Sequence, residues 1–350
     1  HRKNNPTLIH RTSMPIDQFI QHFIPVIESE LQTAVNKTNG AGLKEFRDIL
    51  AYHMGWEGPG AGPDARGKRI RPVLVLLTVA AAGGDWKTAL PAANAVELIH
   101  NFSLIHDDIE DNSDLRRGRL TVWKKWGIAQ ATNAGDALFA LAHLELLRLS
   151  ESQPAATVIQ ALQTLDQTCL HLTQGQYFDL SYEKRLDLTE FDYWPMIEGK
   201  TSALLSACTE IGAIIASASN DTRQSYRRFG KYLGLAFQAQ DDLLGIWGNA
   251  ALTGKSNDSD LIAGKKTLPV LYGLGRRGAF YHRWLQGPIS PQEAPAIADL
   301  LVADGALEST RQQADRLTEQ AIQALTSAHP QGEAGAALIE LAHQLLQRQS

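Results

Sequence analysis

From Pro15 almost to the end of the chain, apolar residues recur at three- and four-residue intervals, as Phe19, Ile20, Phe23, Ile24 and Ile27 do. Nowhere do they settle into the alternation of a half-buried strand, so the pattern predicts an all-α protein. Helical candidates lie at 43–54, 72–82, 87–109, 128–149, 154–180, 190–217 and 221–247, with shorter ones at 291–303, 307–327 and 333–347. Polar loops fall at 112–120, 181–188 and 248–266, and a Gly/Pro-rich loop, "GWEGPGAGPDARGKRIRP", precedes the 72–82 helix. No fixed-period repeat and no linker of boundary quality is visible. Residues 1–14 are expected to form a flexible tail and 15–350 a single domain of long helices around one core, with any site built from facing helices.

Composition narrows the partners. A hydrophobic content of 44% suffices for a large core, and a net charge of -5 lacks the basic footprint of a nucleic-acid binder. The two cysteines, Cys169 and Cys208, have neither metal-ligand spacing nor a disulfide framework, so a reducing, cytoplasmic setting is expected. The longest apolar run, near 73–82, is too short to span a bilayer. No signal-peptide pattern is visible, and because the chain begins at His1 rather than Met, what precedes it stays open.

The chemistry concentrates where two apolar helices end in acids. In "SLIHDDIEDNSDLRRG" (103–118), the run "AVELIHNFSLIH" delivers Asp107, Asp108 and Asp111. On a helix, Asp107 and Asp111 share a face, with Asp108 to one side. Like charges this close repel, so something must offset them, and paired carboxylates hold hard cations such as Mg2+. Alone, "DDIED" reads as readily as a solvated helix end. The second cluster, Asp241 and Asp242 in "LAFQAQDDLLGIWG" (235–248), repeats the design and suggests facing walls of a metal-binding cavity that would take a polyphosphate. Lys68, Arg69 and Arg71 in "GKRIRP", Arg116 and Arg117 in "RRG", and Lys200, Lys255, Lys265 and Lys266 near other helix ends supply cations for such a group. Each taken singly is an ordinary surface charge. A lone His100 in an apolar helix is usually a core residue, but it lies about two turns before Asp107, near the same face.

These residues together resemble the trans-type isoprenyl diphosphate synthases, or polyprenyl synthetases, from about Lys68 to Pro269. The D-D-x-x-D-x-x-x-x-R-R-G element is complete at Asp107–Gly118, and G-K-R-x-R-P at Gly67–Pro72. "GQYFD" (Gly175–Asp179), "GKTSAL" (Gly199–Leu204) and "FQAQDD" (Phe237–Asp242) follow in the family's order. The resemblance implies antiparallel helices of the isoprenoid synthase type around a deep central cavity, usually in a homodimer. It implies three Mg2+ ions held by Asp107, Asp111 and Asp241, with Asp108 and Asp242 near them. Arg116, Lys200 and Lys265 would bind an allylic diphosphate, Lys68, Arg71, His100 and Arg117 would bind isopentenyl diphosphate, and Lys255 keeps the family's register in the following loop. Thr201 and Gln238 would face the reacting carbons.

One position departs from the pattern. The second motif is usually D-D-x-x-D, and its last position here is Gly245. If that carboxylate acts through metal-bound water, Asp241 alone would hold the third ion more weakly; if it is a required ligand, the enzyme would be slow or altered. Lys255, Asp260 and Lys265 keep their register, which argues against a decayed site. In the resembling family an aromatic at the fifth position before the first motif and a small residue at the fourth, here Phe102 and Ser103, suggest a C20 product, geranylgeranyl diphosphate, with Ile99 below setting the floor. Farnesyl diphosphate is the close alternative. A class I terpene cyclase would share the ionisation and tolerate Gly245 but needs no isopentenyl diphosphate site. A regulatory subunit would tend to lose the acids.

Overall fold

The computed structural model describes residues 15–248 and 259–347, so the expected tail and Lys255 lie outside the described residues. The chain is helical as expected. In order come α1 (Pro15–Asn36), α2 (Lys44–His53), α3 (Pro63–Arg66), α4 (Ile70–Ala81), α5 (Leu90–Glu110), α6 (Val122–Trp126), α7 (Ile128–Leu147) and α8 (Ala155–Tyr182). They are followed by α9 (Glu190–Ile197), α10 (Ala203–Ile215), α11 (Asn220–Trp247), α12 (Ser259–Ile262), α13 (Leu268–Arg276), α14 (Ala279–Trp284), α15 (Ala294–Ala303), α16 (Ala306–Ser327) and α17 (Gly332–Leu346).

The helices pack as a bundle. α5 lies along α7, and α10 along α11, α4 and α8; α11 lies along α16. The larger core gathers Phe23, Leu74, Leu76, Val96, Leu138, Ile211, Tyr226 and Phe229, all essentially inaccessible to water. A second cluster holds Tyr193, Leu235, Ile246, Leu268 and Phe280. α11 feeds both clusters, through Leu233 and Ala236 on one side and Leu235 and Ala239 on the other. Burial of such side chains, at about 25 cal/mol per Å2 of apolar surface, is what orders an α11 that carries acids in its last two turns.

The loop expected at 112–120 holds a miniature hairpin, β1 (Leu115–Arg116) against β2 (Arg119–Leu120), with Leu115 opposite Leu120. Its two turn residues, Arg117 and Gly118, both have positive φ, the geometry that matches the natural twist of a tight hairpin. The expected single helix over 190–217 is also corrected. It is divided by a π-helical turn, Glu198–Ser202, between α9 and α10. Such a turn inserts an extra residue into the helical repeat and re-aims the side chains it carries, here Lys200 and Thr201.

Buried charge fixes the entry to the bundle. Arg69, 3% exposed, sits between Glu28 (Nε–Oε1 2.6 Å) and Glu97 (Nη1–Oε1 2.8 Å). Of the basic cluster in "GKRIRP", this residue is therefore a tie between α1, α4 and α5, whereas Lys68 is exposed and Arg71 partly buried.

Candidate active site

The first acid cluster closes α5. Asp111 caps the helix and its N–H donates to the Asp107 carbonyl (2.8 Å), so the two carboxylates leave from one face as the spacing predicts. Acids here oppose the helix dipole, whose C-terminal end is already negative. Burial pushes the Asp107 carboxyl up to about 6, Asp111 and Glu110 add to the rise, and Lys200 and Arg116 work against it. Asp108 differs from its neighbours. It is 2% exposed, and the Arg116 guanidinium forks onto it with Nε at 3.0 and 2.9 Å and Nη2 at 2.7 Å. Arg116 is thus engaged by its own motif, through the hairpin, rather than held free above the cavity.

Lys200 and Thr201 are brought in by close backbone approach. A methyl group on Gly175 of α8 would lie 2.3 Å from the Lys200 backbone nitrogen, and one on Gly199 would lie 2.5 Å from the His171 carbonyl oxygen. The glycines of "GQYFD" and "GKTSAL" therefore meet each other, and only glycine permits that contact. The same approach sets the Lys200 ammonium on the Asp179 carboxylate. Asp179 and the Asp107/Asp111 pair together hold the Lys200 ammonium above its ordinary range despite burial.

On the opposite wall α11 presents Gln238 and Asp242, whereas Asp241, like Asp107, lies outside the lining of the cavity between the two walls. Asp241 is half-buried and close enough to Tyr193 for its charge to raise that phenol. Asp242 is 4% exposed and fully engaged: Tyr193 Oη donates to Oδ2 at 2.7 Å, the Leu268 N–H to Oδ2 at 3.0 Å, and Gln238 Nε2 to Oδ1 at 2.9 Å. Burial nonetheless lifts its carboxyl to about 6. Thr201 Oγ1 donates to Gln238 Oε1 at 3.2 Å, which completes a chain of contacts from α9 and α13 through α11 to the π turn.

A cavity of about 730 Å3 opens between these walls, lined by Asp111, Asp179, Lys200, Thr201, Gln238, Asp242 and Lys265 among others. Apolar and aromatic side chains, Met196, Ile197 and Tyr193, line it as well. Lys265 is largely exposed, with its ammonium 3.3 Å from Asp260. Lys266 instead donates to the carbonyls of Tyr182, Glu183 and Arg185, tying the end of α8 to the loop before α13. A second basic cluster gathers around His100 of α5. Arg71 Nη1 approaches His100 Nε2 (3.3 Å), Arg117 Nη1 donates to the Ala65 carbonyl (2.9 Å), and burial together with these arginines holds the His100 ring well below its usual range, hence neutral. Phe102 lies edge-on to Phe139 (5.2 Å between ring centres) and to His106 (4.9 Å). Ser103 Oγ donates back to the His100 carbonyl (2.7 Å), and Ile99 is fully buried. These three residues lie outside the lining of the cavity described above.

Sequence reasoning left Asp179, Tyr193 and the buried engagement of Asp108 and Asp242 without a role. "GQYFD" carried the signal for Asp179; nothing local marks Tyr193. Among the described residues no three carboxylate, histidine or cysteine groups are gathered about one point. No described helix is long and apolar enough to cross a membrane.

Residues 62–290 match the polyprenyl synthetase family model. The chain is 39% identical over 315 residues to a (2E,6E)-farnesyl diphosphate synthase of Mycobacterium tuberculosis, covering 87% of each. It is 42% identical over 241 residues to a geranylgeranyl diphosphate synthase of the same organism, covering 67% of this chain and 68% of that one. Among solved structures, a polyprenyl synthetase from Streptomyces coelicolor superposes with a TM-score of 0.83 at 35% identity, over 93% of this chain and 99% of that one. A polyprenyl synthase from Caulobacter crescentus, solved with calcium and isoprenyl diphosphate, superposes with a TM-score of 0.79 at 28% identity, over 97% and 100%. With the motifs, the helical bundle and the acid-lined cavity, these likenesses establish that the chain belongs to the polyprenyl synthetase family and is a prenyl-transferring diphosphate synthase.

Proposed function

We propose that the protein joins isopentenyl diphosphate head to tail with an allylic diphosphate and that its main product is the C20 geranylgeranyl diphosphate. The observation that carries the reaction is one cavity lined by Asp111 of α5, by Asp179 and Lys200, and by Asp242 of α11, with Asp107 near enough for its charge to raise the Lys200 ammonium. Asp107 and Asp111 of α5 and Asp241 of α11 would offer hard oxygen donors, and Mg2+ characteristically takes one or two carboxylates with the rest of its shell from phosphate and water. Three ions, two at the first cluster and one at Asp241, is the count this reading calls for. Bound there, Mg2+ would neutralise the diphosphate and favour its departure.

The protein's own groups do the rest. Lys200, Lys265 and, once released from Asp108, Arg116 bind the allylic diphosphate; Lys68, Arg71, Arg117 and neutral His100 bind isopentenyl diphosphate, and Lys255 joins from the loop outside the described residues. The allylic C1–O bond breaks with both electrons going to pyrophosphate. The isopentenyl double bond attacks C1, and the proton then lost from C2 goes to the departing pyrophosphate. Thr201 and Gln238 turn oxygen atoms toward the developing cation, and Met196 and Ile197 exclude water that would quench it. No side-chain nucleophile is needed.

The C20 reading rests on Phe102, whose ring is braced by Phe139, beside the small Ser103 and above the buried Ile99. The farnesyl reading has its own support, since the relative matched over 315 residues is named a farnesyl diphosphate synthase. The exposed apolar residues of α7 and α8, including Leu144 at 57% and Leu170 at 62%, support a homodimer through that face. The core helix α11, shared by both apolar clusters, supports one domain over 15–350, and a cytoplasmic setting suits the two free, buried cysteines.

The test is an assay with radiolabelled isopentenyl diphosphate, Mg2+ and a C5, C10 or C15 allylic primer, with products sized by chromatography. Accumulation of C20 from all three supports the reading, and a stop at C15 replaces it with the farnesyl one. Hydrocarbon formed from geranylgeranyl diphosphate without isopentenyl diphosphate would overturn prenyl transfer.

A further inference from the structure

We infer that Asp242 is a positioning residue that fixes the amide of Gln238 so that its carbonyl oxygen, not its NH2, faces the reacting carbons; this rests on the prenyl-transfer reading of the cavity. Asp242 would otherwise be taken for one more acid of the metal-binding cluster. Its contacts say something different. Oδ2 is saturated by the Tyr193 hydroxyl at 2.7 Å and the Leu268 N–H at 3.0 Å, donors from α9 and α13. Only Oδ1 remains, and an ionised carboxylate can only accept. Gln238, one helical turn earlier, must therefore present its NH2, and it does so at 2.9 Å.

An amide fixed at one end is fixed at the other. With Nε2 committed to Asp242, Oε1 points to Thr201 Oγ1 at 3.2 Å, and both residues line the cavity beside Lys200. Thr201 donates its proton to Gln238, so the Thr201 oxygen turns its lone pairs outward. The cavity thus meets two oxygen dipoles of one sign. When the allylic C1–O bond breaks and its electron pair leaves with pyrophosphate, positive charge develops on carbon. Oriented oxygens stabilise that charge without reorganising, whereas an NH2 in the same place would repel it. Tyr193 and Leu268 N–H, from α9 and α13, hold the anchor still.

The test is Asp242→Asn. The new amide accepts from Tyr193 and Leu268 through its one oxygen and must donate to Gln238, which turns the Gln238 NH2 to the cavity. Expected is a kcat lower by about 100-fold, the scale of losing one preorganised dipole, with KM for both diphosphates and the Mg2+ concentration for half-maximal rate unchanged. Adding Gln238→Glu to Asp242→Asn gives residue 238 one oxygen to accept from the new NH2 at position 242 and one to face the cavity, and is expected to recover at least about 10-fold in kcat. A raised Mg2+ requirement in Asp242→Asn, or losses that simply add in the double variant, overturns the proposal. If Asp242→Asn does not fold, Gln238→Leu, which keeps the anchor and its other donors, must lower kcat alone; an unchanged kcat overturns the proposal. A wild-type protein inert with every primer would instead remove the prenyl-transfer reading on which it rests.

Discussion

The Asp260 carboxylate occupies the space that a side chain at position 245 would need: a methyl group on Gly245 would lie 1.9 Å from Asp260 Oδ2. Gly245 stands one turn beyond Asp241 on the same face of α11, so the acid missing from the second motif is replaced in space by one from α12. Asp260 is 7% exposed and pairs with Lys265 at 3.3 Å. Restoring an aspartate by Gly245→Asp should therefore harm the enzyme. Overpacking typically costs about 1–3 kcal/mol, and the displaced Asp260 releases Lys265, so kcat/KM for the allylic diphosphate is expected to fall about tenfold. Exchanging the two residues, Gly245→Asp with Asp260→Gly, should recover most of the loss in the same steady-state assay.

Asp107 ties stability to pH with a definite sign. Its folded carboxyl titrates near 6 against an ordinary 3.8, so the folded state holds more protons between those values. Stability of the metal-free protein therefore falls as pH rises from about 4 through 6. Asp242, also near 6, contributes in the same direction. Thermal melts without metal should show Asp107→Asn to be more stable than wild type at pH 8, with the gap closing below pH 4, and the same variant should lose nearly all activity. An Asp107→Asn protein that melts lower at pH 8 contradicts this.

Arg69 and Arg71 stand two residues apart in the sequence but differ in role. Removing one partner of a buried ion pair typically costs about 3–5 kcal/mol, so Arg69→Ala should lower the denaturation midpoint strongly while any folded fraction keeps its KM for isopentenyl diphosphate. Arg71→Ala should instead raise that KM with a smaller effect on the melt. Chemical denaturation and initial-rate kinetics separate the two.

If the growing product extends along α5 past the cavity described, as the C20 reading proposes, Phe102→Ala should lengthen it beyond C20. Phe139→Ala should do so less, since it removes only the brace against which Phe102 rests at 5.2 Å. Product sizing reads both, and an unchanged length in Phe102→Ala removes this residue as the floor.

Much of this site was legible because helical spacing and charge are local properties. The i, i+4 placement of Asp107 and Asp111 follows from the helix repeat, and the apolar runs before each acid cluster announce helices that end at a cavity. What was not legible depends on partners distant in sequence. Asp108 looks like Asp107 until Arg116 returns through the hairpin to claim it. Asp242 looks like Asp241 until Tyr193 and Leu268, distant in sequence, donate to it. Nothing local marks the π turn at Glu198–Ser202, since Gly199, Thr201 and Ser202 only weaken a helix without placing a break; the turn accompanies the close contact of Gly175 with the Lys200 backbone. Periodicity alone could not divide 190–217 at that point.

The central claim is that acids on α5 and α11 converge on divalent metal bound to one diphosphate. Diffraction from crystals grown with Mn2+ and inorganic pyrophosphate tests it most directly, because anomalous scattering locates each ion. Expected are Mn2+ ions at the carboxylates of Asp107 and Asp111 and at Asp241 with the pyrophosphate between them, Arg116 turned from Asp108 to the pyrophosphate, and Asp242 still held by Tyr193. Mn2+ bound away from those three carboxylates, or pyrophosphate seated outside the cavity, would contradict it.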